Sequence, residues 1–91
     1  MKRKELKIVL NQLVEEFEKK KYDEWNTRKF PYSYEEDKDG ETIDIELVLL
    51  ENEKEYLQIS VGLSQTNNIL SQYFPVSTNF IVTKNDPRAN Q

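Results

Sequence analysis

The sequence predicts an α+β fold: an N-terminal helix packed on an antiparallel three- to four-stranded meander, in the order α-β-β-β-(short α)-β. Three observations predict it. Leu6, Val9, Leu10, Leu13, Val14 and Phe17 recur at the i, i+3, i+4 spacing of one apolar helical stripe. From Phe30 to Leu63 the chain alternates polar and apolar residues in three runs, F-P-Y-S-Y, T-I-D-I-E-L-V-L-L and E-Y-L-Q-I-S-V-G-L. Between the first two runs stands Asp39-Gly40, the dipeptide of a two-residue type I′ hairpin turn.

The helix should run from residue 3 to about 22. Glu15–Lys19 and Glu16–Lys20 are i, i+4 pairs in the favourable order, and Lys19 to Lys21 suit a C-terminal end. A basic first turn has the wrong sign for the helix dipole and should fray. Tyr22 to Lys29 then connects helix to sheet. Trp25, the single tryptophan, is expected to plug the edge of the core with its N–H on water or a carbonyl. The other role open to it is that of an anchor for a partner.

Strand parity decides the sheet, because a one-residue slip sends every side chain to the opposite face. A turn at Asp39-Gly40 pairs Lys38 with Glu41, Glu36 with Ile43, Tyr34 with Ile45, Tyr32 with Leu47 and Phe30 with Leu49. Pro31 cannot donate to a ladder, so the first strand should be an edge. A three-residue loop at Asn52–Lys54 would pair Leu49 with Leu57, Leu47 with Ile59, Ile45 with Val61 and Ile43 with Leu63. A two-residue loop at that place would turn Leu57, Ile59 and Val61 outward. Thr66 to Phe74 could form a short helix ended by Pro75, and Thr78 to Thr83 a fourth strand beside the third. One domain over 1–83 and a mobile tail over 84–91 are expected.

The chain carries a net charge of −4 over 91 residues, a third of them charged, and that charge is divided. Residues 1–29 hold nine basic and six acidic side chains, a net of +3; residues 30–55 hold two basic and ten acidic, a net of −8. No apolar run reaches the roughly 18–20 residues that span a bilayer, and Glu5, Lys7 and Asn11 interrupt any leader-like stretch. Without cysteine there is no disulfide framework, which suits a cytoplasmic protein.

Histidine and cysteine are both absent, which removes Ser-His, Cys-His and thiolate chemistry and the usual zinc sites. No glycine-rich phosphate loop occurs. The expectation is therefore a protein that is not an enzyme and holds no cofactor and no metal. The segment from Glu35 to Glu46 resembles an EF-hand loop, with Gly40 at the sixth position and Glu46 at the twelfth. Its flanks alternate like strands, however, where that motif requires helices. Direct nucleic-acid binding is not expected, since the basic helix is followed by an acidic sheet that repels phosphate.

The outer face of the sheet is where a function can sit. On the register above its rows are Lys29–Leu50–Tyr56, Pro31–Val48–Gln58, Ser33–Glu46–Ser60 and Glu35–Asp44–Gly62. Candidate partner-binding residues are Glu35, Asp44 and Glu46 at an acidic end, Val48, Leu50 and Tyr56 at an apolar end, and Trp25. An acidic patch beside an apolar one suits a basic or mixed protein partner.

The element order and acidity are loosely similar to those of the small type III secretion chaperones, which carry a further C-terminal helix that is not expected here. The expected function is that of a small acidic intracellular binding protein that occupies a partner, as an inhibitor, an immunity-type protein or a nucleic-acid mimic. The alternative is a chaperone-like accessory or homo-oligomeric module, with a homodimer allowed and no membrane contact.

Overall fold

One apolar stripe of a helix and the inner face of a sheet make the core. The computed structural model describes residues 2–66 and 75–84. Two helices, α1 (Arg3–Glu18) and α2 (Tyr22–Asn26), precede four strands: β1 (Tyr32–Lys38), β2 (Glu41–Asn52), β3 (Tyr56–Gln65) and β4 (Val76–Thr83). The strands form one antiparallel sheet in the order β1-β2-β3-β4. This is the α+β arrangement expected, with β4 starting two residues early and the connector holding a helical turn.

All six residues of the predicted stripe are buried in α1, which lies over β3 and β4. The helix stops at Glu18, short of the expected end. Had it continued, Tyr22 would point about 160° around the axis from Leu6, into solvent. Instead the Lys19 and Lys20 N–H groups close tightened turns onto the Glu16 and Phe17 carbonyls at 3.2 and 3.1 Å, and Lys21 is extended. The Phe17 carbonyl also accepts the Trp25 indole N–H at 3.1 Å, a buried bond. The break thus turns Tyr22 and Trp25 inward together. The Trp25 ring meets Phe17 and Phe80 edge-on, each with centroids 5.5 Å apart.

The first hairpin has the expected register from Lys38↔Glu41 to Tyr32↔Leu47. Asp39 (φ 52°) and Gly40 (φ 79°) both lie in the left-handed region, as a type I′ turn demands. Residues 35–46 are therefore strand, turn and strand, which leaves no helix-flanked EF-hand loop. Phe30 and Leu49 do not pair, because β1 begins at Tyr32; both are half-buried against the core.

The second hairpin corrects the expected pairing. The turn is Lys54–Glu55, closed by the Glu53 N–H on the Tyr56 carbonyl at 2.9 Å. It sets Asn52 opposite Leu57 and Glu51 opposite Gln58; a bulge at Leu50 then shifts the ladder to Leu49↔Ile59, Leu47↔Val61, Ile45↔Leu63 and Ile43↔Gln65. Every aliphatic keeps the face expected of it, but each β3 partner lies two residues further on. Of the short helix expected over 66–74, residues 67–74 lie outside the described residues, as does the tail from residue 85.

Leu47 and Ile59 are buried on the inner face of the sheet, so Leu47→Ala should cost about 2–5 kcal/mol. A melting curve within a degree or two of the parent's would place the core elsewhere. A Cβ at Gly40 would meet no heavy atom within 4 Å. Gly40→Val should therefore lose stability through its backbone alone, by about 1–2 kcal/mol, measurable by denaturant titration against Asp39→Gly, which relieves the same strain.

Candidate protein-binding face

Because α1 and α2 both lie on the inner side, the opposite face of the sheet is covered by no described element. The strand register writes its rows. Glu35, Asp44 and Ser64 stand in one, then Ser33, Glu46, Gly62 and Ser77, then Val48, Ser60 and Asn79, then Glu51, Gln58 and Ile81, and last Tyr56 beside Thr83. Relative to the sequence-based rows, the pairs Glu35–Asp44 and Ser33–Glu46 are unchanged, while the expected Pro31–Val48 and Lys29–Leu50 pairs are not made, because β1 begins at Tyr32. The β3 half has moved by two residues: the Lys54–Glu55 turn shifts the pairing by three, and the bulge takes one back.

The small residues of β3 leave the middle of this face low. A shallow cavity of about 520 Å³ opens there, lined by Ser33, Glu35, Asp44 and Glu46 of β1 and β2, by Gly62 and Ser64 of β3, and by Pro75. A Cβ on Gly62 would come no nearer than 4.0 Å to another heavy atom, so packing does not require this glycine. Its effect is on the surface, where it keeps the cavity open. Glu35 and Asp44 are cross-strand neighbours, and like charges so placed repel.

Toward the other end the face turns apolar. Val48 is half-buried, while Leu50, on the bulge, is 49% exposed and Ile81 48%. Ile81 was missing from the candidates. Its signal was the alternation of β4, which puts Ser77, Asn79, Ile81 and Thr83 outward. Tyr56, read as part of the apolar patch, spends its hydroxyl on Glu51, donating to the carboxylate at 2.7 Å. That bond, more than burial, raises the phenol's pKa.

The structure thus brings together Glu35, Asp44 and Glu46, and sets Val48 and Leu50 along the same face. Trp25 does not join them. At 1% exposure on the inner side, it is the core plug with its N–H on a carbonyl, and it presents no surface to a partner. Its neighbour Arg28 is the accessible part of that corner, with the guanidinium 5.2 Å from the Trp25 ring centre and 4.6 Å from that of Tyr32.

Among the described residues no cluster of three or more acidic side chains is arranged to hold a metal ion. No described helix is long and apolar enough to cross a membrane.

On the inner side of β1, partial burial pushes the Tyr34 phenol up to about 12 from its usual 10, with the Glu36 carboxylate adding to the rise. Folded Tyr34 keeps its proton where the unfolded chain has lost it. Its contribution to stability is thus complete below pH 10 and disappears as pH climbs toward 12. Across that window Tyr34→Phe should lose melting temperature more gently than the parent does. Parallel slopes would mean that the phenol is freely solvated.

No family model matches this chain, and no curated protein or solved structure matches it.

Proposed function

We propose that this chain works by binding, and that it occupies a basic protein partner through the outer face of its sheet. The observation that carries the reading is the layout of that face: a shallow cavity lined by Glu35, Asp44 and Glu46, with exposed Leu50 and Ile81 further along the same face. A lysine- or arginine-bearing segment would set its cation among the carboxylates and its apolar side chains against Val48, Leu50 and Ile81. Charged groups placed in this way speed encounter and reject wrong partners, while the apolar end supplies contact area. The same carboxylates can stand in for the phosphates of a nucleic acid at a basic site, which would make the chain an inhibitor of a nucleic-acid-binding protein. A chain without histidine or cysteine has few means of catalysis and needs no oxidising compartment, so binding in the cytoplasm is the setting proposed.

Three substitutions test this reading, with a partner captured on the parent protein and then titrated. Asp44→Asn relieves the repulsion with Glu35 and should stabilise the free protein by roughly 0.2–1 kcal/mol while weakening the complex. Asp44→Lys should weaken it further and slow association, with less dependence on salt. Gly62→Thr, filling part of the cavity with a good strand former, should keep or raise the melting temperature and lower affinity. If all three bind as tightly as the parent across salt concentrations, the outer face is not the interface.

A further inference from the structure

The two edges of the sheet differ in a way that makes them complementary. At one edge, β4 runs eight residues from Val76 to Thr83 with no charged side chain and no proline, the devices that ordinarily keep an edge strand from pairing. No described strand lies on its outer side. Above it, Arg3, Lys7 and Asn11 of α1 line a cleft of about 330 Å³ over Val76, Ser77 and Thr78. At the other edge, β1 holds Glu35, Glu36 and Asp37. Its inner side is thinly covered, because α1 lies over β3 and β4: Tyr32 is 37% exposed and Glu36 is exposed.

We propose that the chain associates head to tail with a second copy of itself, β4 of one molecule pairing with β1 of the next. The meander has four strands, an even number, so β4 runs antiparallel to β1. A second copy in the same orientation therefore extends the sheet antiparallel, with both helices on one face. In a register that preserves the faces, Thr78 meets Tyr34 of the next copy and Val76 meets its Glu36. The Lys7 ammonium then overhangs that carboxylate, and the flank of α1 covers the neighbour's half-exposed tyrosines.

Charge selects this arrangement over the two symmetric ones. Pairing β4 with β4 would bring two basic α1 flanks together, and pairing β1 with β1 would oppose two acidic edges. Only the mixed contact joins the +3 segment of residues 1–29 to the −8 segment of residues 30–55. A heterologous contact does not close on itself as a pair, so mass should climb with concentration and not stop at two copies. This surface is distinct from the outer face, and the two readings can fail separately.

Sedimentation velocity on the full chain, from micromolar to millimolar and at low and high salt, tests the proposal. The parent should grow in average mass with concentration, and less so at high salt. Lys7→Glu and Glu36→Lys, both at exposed positions, should each return the protein to a monomer without changing its melting curve. Asn79→Lys, at the exposed centre of β4, should do the same by charging the edge. The double variant carrying both Lys7→Glu and Glu36→Lys should associate again. A parent that stays monomeric throughout overturns the proposal. So does a dimer that ignores Glu36→Lys, which would be β4 paired with β4, and so does a double variant that fails to recover.

Discussion

The aliphatic rows of β2, β3 and β4 must all face the side where α1 lies, and the second hairpin meets this constraint in an indirect way. The Lys54–Glu55 turn sets Asn52 opposite Leu57. Continued without interruption, that ladder would oppose Leu49 to Ser60, Leu47 to Gly62 and Ile45 to Ser64, dividing the apolar residues between two faces. The bulge at Leu50 inserts one residue and restores Leu49↔Ile59. The balance is one-sided. Interrupting the ladder once costs on the order of 1 kcal/mol. Keeping Leu57, Ile59, Val61 and Leu63 buried is worth about 1.5–3 kcal/mol for each. The residue left over, Leu50, is half exposed, which is how an apolar side chain comes to stand on the outer face.

This explains which parts of the fold were legible in the sequence. Face parity was, because alternation over Ile43–Leu49 and Leu57–Leu63 admits one inner face whatever the loop. Gly40 was legible too, since Asp-Gly is a local signal with a local cause. The second turn was not. Its residues, Glu-Asn-Glu-Lys-Glu-Tyr, include no glycine to mark a positive φ, and a bulged leucine reads like any other strand residue. The outer rows involving β3 were consequently misplaced by two, while those of Glu35–Asp44 and Ser33–Glu46 were right. The early end of α1 was hidden for a different reason. Lys19 to Lys21 are good helix formers, and what overrides them is tertiary: the Trp25 indole takes the Phe17 carbonyl and Phe80 supplies the third ring. Ile81 carries a weaker signal, because its outward position follows from the register of β4 on β3 rather than from any local motif.

The two helices cover the inner face unevenly, and the aromatic residues follow that unevenness. Phe17, Trp25 and Phe80 pack where α1, α2 and β4 meet, with Phe17 and Phe80 centroids 6.0 Å apart. Toward β1 the cover is a row of side chains. Arg28 lies over Tyr32, and Tyr32 and Tyr34 are 5.6 Å apart. Rings under a guanidinium can stay partly wet, since the cation keeps its water while its flat face rests on the ring. Burial is deepest in the central strand β3 and lowest at the β1 edge, where acidity is highest and no side chain is fully covered.

That gradient accounts for how the carboxylates of the outer face are tolerated. Glu35 and Asp44 do not choose their opposition; the register does. It is set on the other side of the sheet by Tyr34 against Ile45 and Tyr32 against Leu47, and at the tip by the Asp39–Gly40 turn. Beside that turn the Thr42 hydroxyl donates to the Asp37 carboxylate at 2.9 Å, a further tie between the two strands. With pairing fixed from behind, repulsion in front cannot be relieved by a one-residue slip, because the slip would expose the whole inner row. The acidic end of the face is thus retained at some cost to folding. Among the described residues no basic side chain stands in the rows that hold Glu35, Asp44 and Glu46, so their repulsion is borne by the register alone.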